Sequence, residues 1–226
     1  MNNDDSSDVE LDSFDSGPGV GPWIGPLPED PRFDPQLLHD GDHRNVIDEY
    51  RYWNLDAIVA DLDTKRHSFH VAIENLEHDF NIGSIVRTAN AFLAKEIHIV
   101  GRKRWNRRGA MVTDRYQHIR HHDSVEDLTN WAKSAGIPII GVDNVPTSRA
   151  LEEFDLPRTC VLFFGQEGTG LAPSALEACD AVVSIAQYGS TRSINVGAAA
   201  AIAMHAWVRR HRFDQRPGQQ PGQQPE

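Results

Sequence analysis

The alternation of short strand-like segments with longer helix-like segments limits the fold of this chain more than any other feature. Phe69–Ile73 is predicted to be a strand, Ile82–Leu93 a helix with one apolar face, and Ile97–Val100 the next strand. The same alternation continues to residue 212 with a helix near Val125–Ser134, strands at Pro138–Val142 and Cys160–Phe164, a helix after Pro173, a strand at Ala181–Ile185 and a final helix at Ser193–Arg212. This pattern predicts an α/β fold, a parallel sheet covered by helices on both faces, with ligands at the carboxyl ends of the strands.

Both ends of the chain differ in composition from its middle. Residues 1–44 carry 11 acidic and 2 basic side chains, so they hold −9 of the formal net charge of −11, and their Pro and Gly residues are closely spaced. After Phe213 the chain repeats PGQQ. We therefore predict an acidic, Pro/Gly-rich disordered tail over 1–45, a folded domain over 46–212, and a low-complexity disordered tail over 213–226.

Membrane and secreted classes are not expected. The longest apolar run, Val196–Val208, contains His205 and is too short to span a bilayer, and the N-terminus has neither a basic start nor an apolar core. The two cysteines, Cys160 and Cys179, are too few for a disulfide framework and fit a reduced protein with inert thiols. A cytoplasmic location is therefore predicted.

The first polar segment at a predicted strand end is ENLEHDFNIGSIVRTANAF. Asn81 is a candidate cap of the following helix, and Arg87 projects from the side opposite the apolar stripe. A ligand-binding arginine is one interpretation. An ordinary solvated helix face with a capping asparagine is the other, and this segment alone does not decide between them.

The second segment, FFGQEGTGLAP, runs from a buried strand into a loop with Gly165, Gly168 and Gly170. Its spacing is not GxGxxG, and Leu171 stands where a phosphate loop needs lysine, so binding of a nucleoside triphosphate is disfavoured. Glu167 among three glycines at a strand end indicates a binding site, because the glycine backbone can approach a ligand closely. A plain tight turn remains an alternative.

The third segment, IAQYGSTRSINVGAAAAIAMHAW, is a polar loop that leads into the last helix. It brings Ser193 and Asn195 to the helix start, where free backbone N–H groups point outward. These residues are candidates for ligand binding. Ser193 is equally well explained as the N-cap residue.

In this order, NIGSIVRTA, FGQEGTGL and RSINVGAAAAI resemble the three motifs of the SpoU/TrmH branch of the SPOUT superfamily, the RNA ribose 2'-O-methyltransferases. The resemblance covers about residues 68–212. It implies a C-terminal trefoil knot, a homodimer with active sites near the interface, and S-adenosylmethionine as the methyl donor to a ribose 2'-hydroxyl of tRNA or rRNA. A non-catalytic RNA-binding module of the same fold is the alternative function.

The resemblance also assigns roles to individual residues. The implied catalytic residues are Asn81, Arg87, Glu167, Ser193 and Asn195. The implied cofactor-binding residues are Gly165, Glu167, Gly168, Ile185, Gln187, Ser193, Ile194 and Asn195. Two departures from the family pattern affect the cofactor pocket: the third motif usually begins Ile-Pro-Met where this chain has Ile185-Ala186-Gln187-Tyr188, and relatives often have Ser where Gly197 stands.

A basic segment at residues 102–122 is the candidate RNA-binding surface. It holds seven Lys or Arg and one Asp, with Trp105 and Tyr116 placed for base stacking, whereas residues 45–226 as a whole carry a net charge of only −2. A solvated surface is the alternative. The predicted RNA contacts are Arg102, Lys103, Arg104, Arg107, Arg108 and Arg115. No metal site is predicted, because the three histidines of this segment, His118, His121 and His122, have no Cys or carboxylate at zinc spacing.

Overall fold

The structure is a computed structural model that describes residues 19–75 and 81–213. The chain is divided into two compact units, Met1–Ile58 and Val59–Glu226. The first unit contains helix α1 (Pro35–Asp40), and helix α2 (Leu55–Lys65) crosses the division. The boundary between the units therefore lies within a helix, about a dozen residues after the predicted start of the folded domain.

The first unit corrects the prediction of a disordered tail for residues 19–45. Helix α1 begins with Pro35 in its first turn, and the Asp34 carboxylate accepts a hydrogen bond from the Gln36 N–H at 2.9 Å. Antiparallel bridges pair Val20 with Asp42 and Phe33 with Trp53. Residues 1–18 and 214–226, where the other predicted disorder lies, are outside the described residues.

A buried carboxylate organises this first unit. Asp42 is fully buried, and it accepts hydrogen bonds from the Arg44 side chain and from the Tyr52 N–H. Burial alone raises the pKa of a carboxyl group, but the hydrogen bonds from Arg44 and Tyr52 outweigh it and lower the pKa of Asp42 to about 2. Frequent Pro and Gly exclude long helices and central strands from this region. They do not exclude an irregular fold held by side-chain contacts of this kind.

The second unit contains one sheet of seven parallel strands in the order β3-β2-β1-β6-β4-β7-β5. The strands are β1 (His70–Asn75), β2 (Ile97–Gly101), β3 (Ile119–His122), β4 (Ile139–Val142), β5 (Arg149–Ala150), β6 (Val161–Phe164) and β7 (Ala181–Ser184). The three strands at the centre of the sheet, β1, β6 and β4, are buried along their whole length, as expected for strands covered on both faces. The predicted α/β fold with a parallel sheet is confirmed.

Helices cover both faces of this sheet. Helices α3 (Asn81–Ala91) and α6 (Val196–Val208) contribute to one apolar core, together with side chains such as Val71 and Phe164. Helices α4 (Val125–Ala135) and α5 (Pro173–Ala178) contribute to a second core that contains Phe163. Because successive side chains of a strand point to opposite faces, neighbouring residues such as Phe163 and Phe164 belong to different cores.

Most predicted elements lie within two residues of their observed bounds, but the last helix is shorter than predicted. The α-helix starts at Val196 rather than Ser193, and a π-helical turn, Arg209–Phe213, follows it. Strands β3 and β5 were missed. β3 has the polar sequence IRHH at an edge of the sheet, and β5 is two residues long, so neither has the hydrophobic pattern that predicts a strand.

Candidate active site

The three polar segments meet at the carboxyl ends of the strands. Asn81 is the first residue of α3, Glu167 lies in the loop after β6, and Asn195 precedes α6. The Asn81 side-chain amide donates to Glu167 Oε2 at 2.6 Å, and the Asn195 amide donates to Asn81 Oδ1 at 2.9 Å and to Glu167 Oε1 at 3.0 Å. We call these three residues the Asn81–Glu167–Asn195 cluster. It brings together residues that are up to 114 positions apart in the sequence.

Asn195 has a second role, as the N-cap of α6. Its Oδ1 atom accepts from the backbone N–H groups of Gly197 and Ala198 at 2.9 and 3.2 Å. Capping fixes the carbonyl oxygen toward the helix and leaves the amide nitrogen free to donate to the cluster. The alternative that Ser193 is this N-cap is wrong, because Ser193 lies outside α6 and Asn195 makes both capping bonds.

The glycine loop after β6 is closed by backbone contact. Gln166 and Gly170 exchange two backbone hydrogen bonds of 3.0 Å, and Gly168 and Gly170 have φ angles of +92° and +70°, which favour glycine. A Cβ atom on Gly165 would lie 2.1 Å from the carbonyl carbon of Gly170 and 2.2 Å from Leu171 N. Glycine is therefore required at 165, because the loop folds directly back onto it.

Two carboxylates, at the ends of the two strands that flank β6, hold the exit of this loop, and neither was predicted from the sequence. Asp143, which follows β4, accepts from Leu171 N at 2.8 Å, and Glu74, near the end of β1, accepts from Ala172 N at 2.8 Å. Glu74 is fully buried, and its Oε1 atom has no hydrogen-bond partner among the described residues. Burial raises the pKa of the Glu74 carboxyl, and the charge of Asp143 adds to that rise.

A cavity of about 530 Å³ lies between the glycine loop and the segment that leads into α6. All eight residues predicted to bind the cofactor are in its wall: Gly165, Glu167, Gly168, Ile185, Gln187, Ser193, Ile194 and Asn195. The wall also contains residues that the sequence analysis did not select, among them Asp143, Asn144 and Arg192. For Asp143 and Asn144 the signal in the sequence was a polar Asp-Asn pair directly after a predicted strand.

Arg87 lies apart from this cavity. It is exposed on α3, it is not among the residues of the cavity wall, and its guanidinium has no hydrogen bond or ion pair with the residues that the structure describes. Within the predicted catalytic set, the structure thus brings Asn81, Glu167 and Asn195 into mutual contact and places Ser193 in the cavity wall. The Arg87 guanidinium is therefore unpaired within residues 19–75 and 81–213.

The basic segment packs against the helix that carries Arg87. A Cβ atom on Gly83 of α3 would lie 2.7 Å from Ala110 N, and one on Gly109 would lie 3.0 Å from Ser84 N, so the two backbones touch. The start of the segment is held by Asn75, whose side-chain amide donates to the carbonyl oxygens of Arg102 and Arg104.

The solvent exposure of the side chains in the basic segment agrees with the predicted RNA contacts but not with the predicted role of Tyr116. The six predicted RNA contacts are all exposed: Arg102, Lys103, Arg104, Arg107, Arg108 and Arg115. Tyr116, in contrast, is buried, so the prediction that it stacks on bases is wrong. Trp105 is partly buried against the core, with the Arg107 guanidinium 5.6 Å from its ring centroid.

The two departures from the usual third motif have local structural reasons. The backbone N–H of Ala186 donates to Glu152 Oε1 at 3.2 Å, and proline at this position would have no such donor. A Cβ atom on Gly197 would lie 2.9 Å from Ser84 Oγ and 3.0 Å from Asn195 Oδ1, so a serine there would crowd Ser84. Gln187 faces the cavity, whereas Tyr188 is 97% exposed.

Comparisons with known proteins agree on one family. The profile of the family described as SpoU rRNA Methylase matches residues 68–205. An uncharacterized tRNA/rRNA methyltransferase of Mycobacterium bovis (strain BCG / Pasteur 1173P2) is 30% identical over 190 residues, which is 81% of this chain and 58% of that protein. A similar relative from Mycolicibacterium vanbaalenii is 29% identical over 196 residues, 81% of this chain and 62% of its own length. The chain thus spans about three fifths of the length of these relatives.

Solved structures show the same fold. The TrmH/SpoU tRNA modifying enzyme of A. aeolicus superposes with a TM-score of 0.61 at 24% identity, covering 69% of this chain and 81% of that one. The SpoU methyltransferase AviRb from Streptomyces viridochromogenes, solved in complex with the cofactor AdoMet, gives a TM-score of 0.58 at 25% identity, covering 66% and 60%. Within residues 19–75 and 81–213, no helix is both long enough and apolar enough to cross a bilayer.

Proposed function

The chain belongs to the SpoU rRNA methylase family, and from this premise we propose that it is an RNA methyltransferase that uses S-adenosylmethionine (AdoMet) to methylate a ribose 2'-hydroxyl of tRNA or rRNA. One observation carries the proposal. The cavity between the glycine loop and the start of α6 has the Asn81–Glu167–Asn195 cluster at its edge, and Glu167 and Asn195 belong to both. A ligand site and a polar, hydrogen-bonded group of side chains therefore coincide.

The cavity suits AdoMet in size and in charge. Its volume of about 530 Å³ lies within the range of small-molecule sites, which is roughly 300–1,000 Å³. The wall offers apolar surface from Ile185 and Leu171, and carboxylates from Asp143 and Glu167. Apolar surface suits an adenine ring, and the carboxylates suit a positively charged sulfonium. Bound AdoMet would supply an activated methyl group.

The side chains of this protein then have to hold the ribose and take its proton. Glu167 is the proposed proton acceptor, because each of its oxygens receives one amide hydrogen bond from the described part of the chain and keeps a free lone pair. The two asparagines fix the direction of that carboxylate. Arg87 is the proposed clamp for an adjacent phosphate, since a guanidinium does not give up its proton in proteins and binds phosphate through two parallel hydrogen bonds.

The basic segment is the proposed RNA-binding surface. The six exposed Lys and Arg side chains that are predicted to contact RNA supply the local positive charge that phosphate binding needs. Its backbone contact with α3 at Gly83 and Gly109 ties RNA bound there to the helix that carries Arg87. The RNA backbone would then reach the edge of the cavity without a separate RNA-binding domain.

Two substitutions test this surface. The double variant Arg104→Gln/Arg108→Gln removes two charges with no described partner, and we expect it to weaken RNA binding at least about 10-fold near 0.1 M salt. The slope of log affinity against log salt should fall by about 1.4, or about 0.7 for each phosphate that is no longer neutralised. The control is Lys133→Gln/Arg158→Gln, which removes two exposed charges elsewhere. Equal weakening by both double variants, measured by fluorescence anisotropy, would show that only net charge matters.

A homodimer is also proposed. The apolar helix α6 presents Ala198, Ile202 and His205 to solvent at helical spacing, and Ile202 is 42% exposed. A second copy of the chain would bury this face. Since α6 shares an apolar core with α3, such an interface would lie near Arg87, and the proposed active site would include residues of both subunits.

The family relationship further leads us to propose a C-terminal trefoil knot and a cytoplasmic location. The contact between Asn195, at the start of α6, and Glu167, in the loop after β6, fits a C-terminal chain that passes close to that loop.

The two cysteines fit the proposed cytoplasmic location. Burial raises the pKa of Cys160 and of Cys179 to about 12, so both thiols are unreactive and need no oxidising compartment.

Calorimetry followed by a methylation assay tests the proposed function. We expect AdoMet and its demethylated product to bind the full-length protein, and ATP and NAD to give no binding heat. Incubation with labelled AdoMet and fractionated tRNA and rRNA should then label one fraction, and nucleoside mass spectrometry should find a 2'-O-methylated nucleoside. If neither AdoMet nor its product binds at high micromolar concentration, the protein is a non-catalytic RNA-binding module. A methylated base in place of a methylated ribose would overturn the 2'-hydroxyl assignment alone.

A further inference from the structure

Three buried histidines form a hydrogen-bonded row across neighbouring strands. His70 Nδ1 lies 3.0 Å from His98 Nε2, and His98 Nδ1 lies 2.9 Å from His122 Nε2. The three residues belong to β1, β2 and β3, and His70, His98 and His122 are 6%, 0% and 6% exposed. Trp131 of α4 packs on the row, with its ring centroid 4.2 Å from that of His98. The row thus lies on the same face of the sheet as the second core, against which Trp131 also packs, and the proposed methyl transfer does not use it.

The carboxylate of Glu96 lies beside the pair formed by His70 and His98. Glu96 Oε2 lies 3.8 Å from His98 Nε2, and its other oxygen accepts from Arg120 Nε at 3.0 Å. The ligand atoms of His70, Glu96 and His98 all lie within 4.8 Å of one another. Glu96 directly precedes β2, and His70 is the first residue of β1, so this group lies at the amino ends of the strands. The cavity lies at their carboxyl ends.

We propose that His70, Glu96 and His98 bind a divalent transition metal, with zinc as the expected ion. Two imidazoles and one carboxylate with a water molecule make a common tetrahedral zinc site. Ligand distances of 2.0–2.2 Å in a tetrahedron place neighbouring ligand atoms about 3.3 Å apart. The separations of 3.0 Å for His70–His98 and 3.8 Å for His98–Glu96 are within about 0.5 Å of that value. The third separation, between His70 and Glu96, is no more than 4.8 Å, so side-chain shifts of at most about 1.5 Å suffice.

His122 supplies the outer contact that such a site needs. A metal on His98 Nε2 requires the ring proton on Nδ1, where it is donated to His122 Nε2. On His70 the metal takes Nδ1 and the proton sits on Nε2. Each ring keeps one proton, so binding shifts the ring protons without releasing any. The hydrogen bond to His122 thereby fixes both the tautomer and the orientation of the His98 ring.

No metal site was predicted at His118, His121 and His122. In the structure, His118 bonds the Asp63 carboxylate and His121 bonds the Gly101 carbonyl oxygen, while His122 is only the outer partner of the proposed site. The proposed ligands come from two strands whose pairing the sequence does not reveal. Spacing along the chain therefore could not predict this site.

Metal titration of the untagged, metal-stripped full-length protein tests the proposal. We expect one equivalent of Zn²⁺ to bind, and Co²⁺ to give the visible absorption bands of a tetrahedral site. Glu96→Gln keeps the buried histidines and should weaken zinc binding at least about 10-fold. The matched control, His118→Gln, removes a more exposed histidine and should leave zinc affinity unchanged. Circular dichroism checks that both variants are folded.

A second variant tests the same site and is expected to raise the zinc affinity rather than lower it. Arg120→Gln keeps all three ligands and removes the cation that pairs with Glu96, so zinc should bind more tightly, because a neighbouring positive charge repels the metal. No detectable zinc binding, equal affinities of wild type and Glu96→Gln, or weaker binding by Arg120→Gln would each overturn the proposal.

Discussion

Replacing Arg87 by alanine is expected to reduce methyl transfer by about 100-fold or more, with little change in AdoMet affinity or thermal stability. The side chain is exposed, has no partner in the described part of the chain and lies outside the cavity wall, so its loss disturbs neither the fold nor the pocket. The reduction should appear in kcat. Radiometric turnover assays, calorimetry with AdoMet and thermal unfolding separate these effects.

Arg87→Lys should lose most of the rate as well, because one ammonium cannot copy the two parallel hydrogen bonds of a guanidinium. Arg158→Ala, another exposed arginine, is the matched control and should keep normal turnover. Near-normal activity of Arg87→Ala would overturn the catalytic assignment. A large drop in melting temperature together with lost activity would make Arg87 a structural residue.

The same variant tests whether the active site is shared between subunits. Arg87→Ala and Asn195→Ala protomers, each inactive alone, should regain part of the wild-type activity when mixed, because half of the sites in a heterodimer would contain both native side chains. A site within one subunit predicts no recovery, since every subunit would still carry one defect. Light scattering before and after mixing checks that dimers form and exchange.

The second large effect is expected from Gly165→Ala. The added methyl group would lie 2.1 Å from the Gly170 carbonyl carbon and 2.2 Å from Leu171 N. Both are backbone atoms, so relieving the clash requires the loop backbone to shift. We expect unfolding stability to fall by about 1–3 kcal/mol, the usual cost of overpacking, and AdoMet affinity to fall at least about 10-fold as the loop opens. Calorimetry and thermal unfolding measure the two effects.

Gly189→Ala provides the control for this prediction. A Cβ atom at Gly189 would meet nothing within 4 Å, and its φ is outside the region that favours glycine. Its AdoMet affinity and melting temperature should match those of the wild type. If Gly165→Ala bound AdoMet as tightly as Gly189→Ala, the glycine loop would not form the cofactor site, and the cavity would belong to another ligand.

Part of the candidate site could be predicted from the sequence, because the residues of one motif are neighbours along the chain. All eight predicted cofactor residues lie in the cavity wall, and Asn195 was correctly placed at the start of the last helix. The carboxylates Glu74 and Asp143 were missed. They contact Ala172 and Leu171, which are 98 and 28 residues away, and no local pattern reports such a contact.

By itself, the sequence determined the order of helices and buried strands, since apolar periodicity is a local property of segments such as Val161–Phe164. The sheet order, the edge strand β3 and the folded structure of residues 19–45 were decided only in the tertiary structure. So were the Asn81–Glu167–Asn195 cluster and the row of buried histidines. The physical reason is common to all of these: which polar groups are buried and paired depends on contacts between distant segments, which the chain acquires only when the sheet assembles.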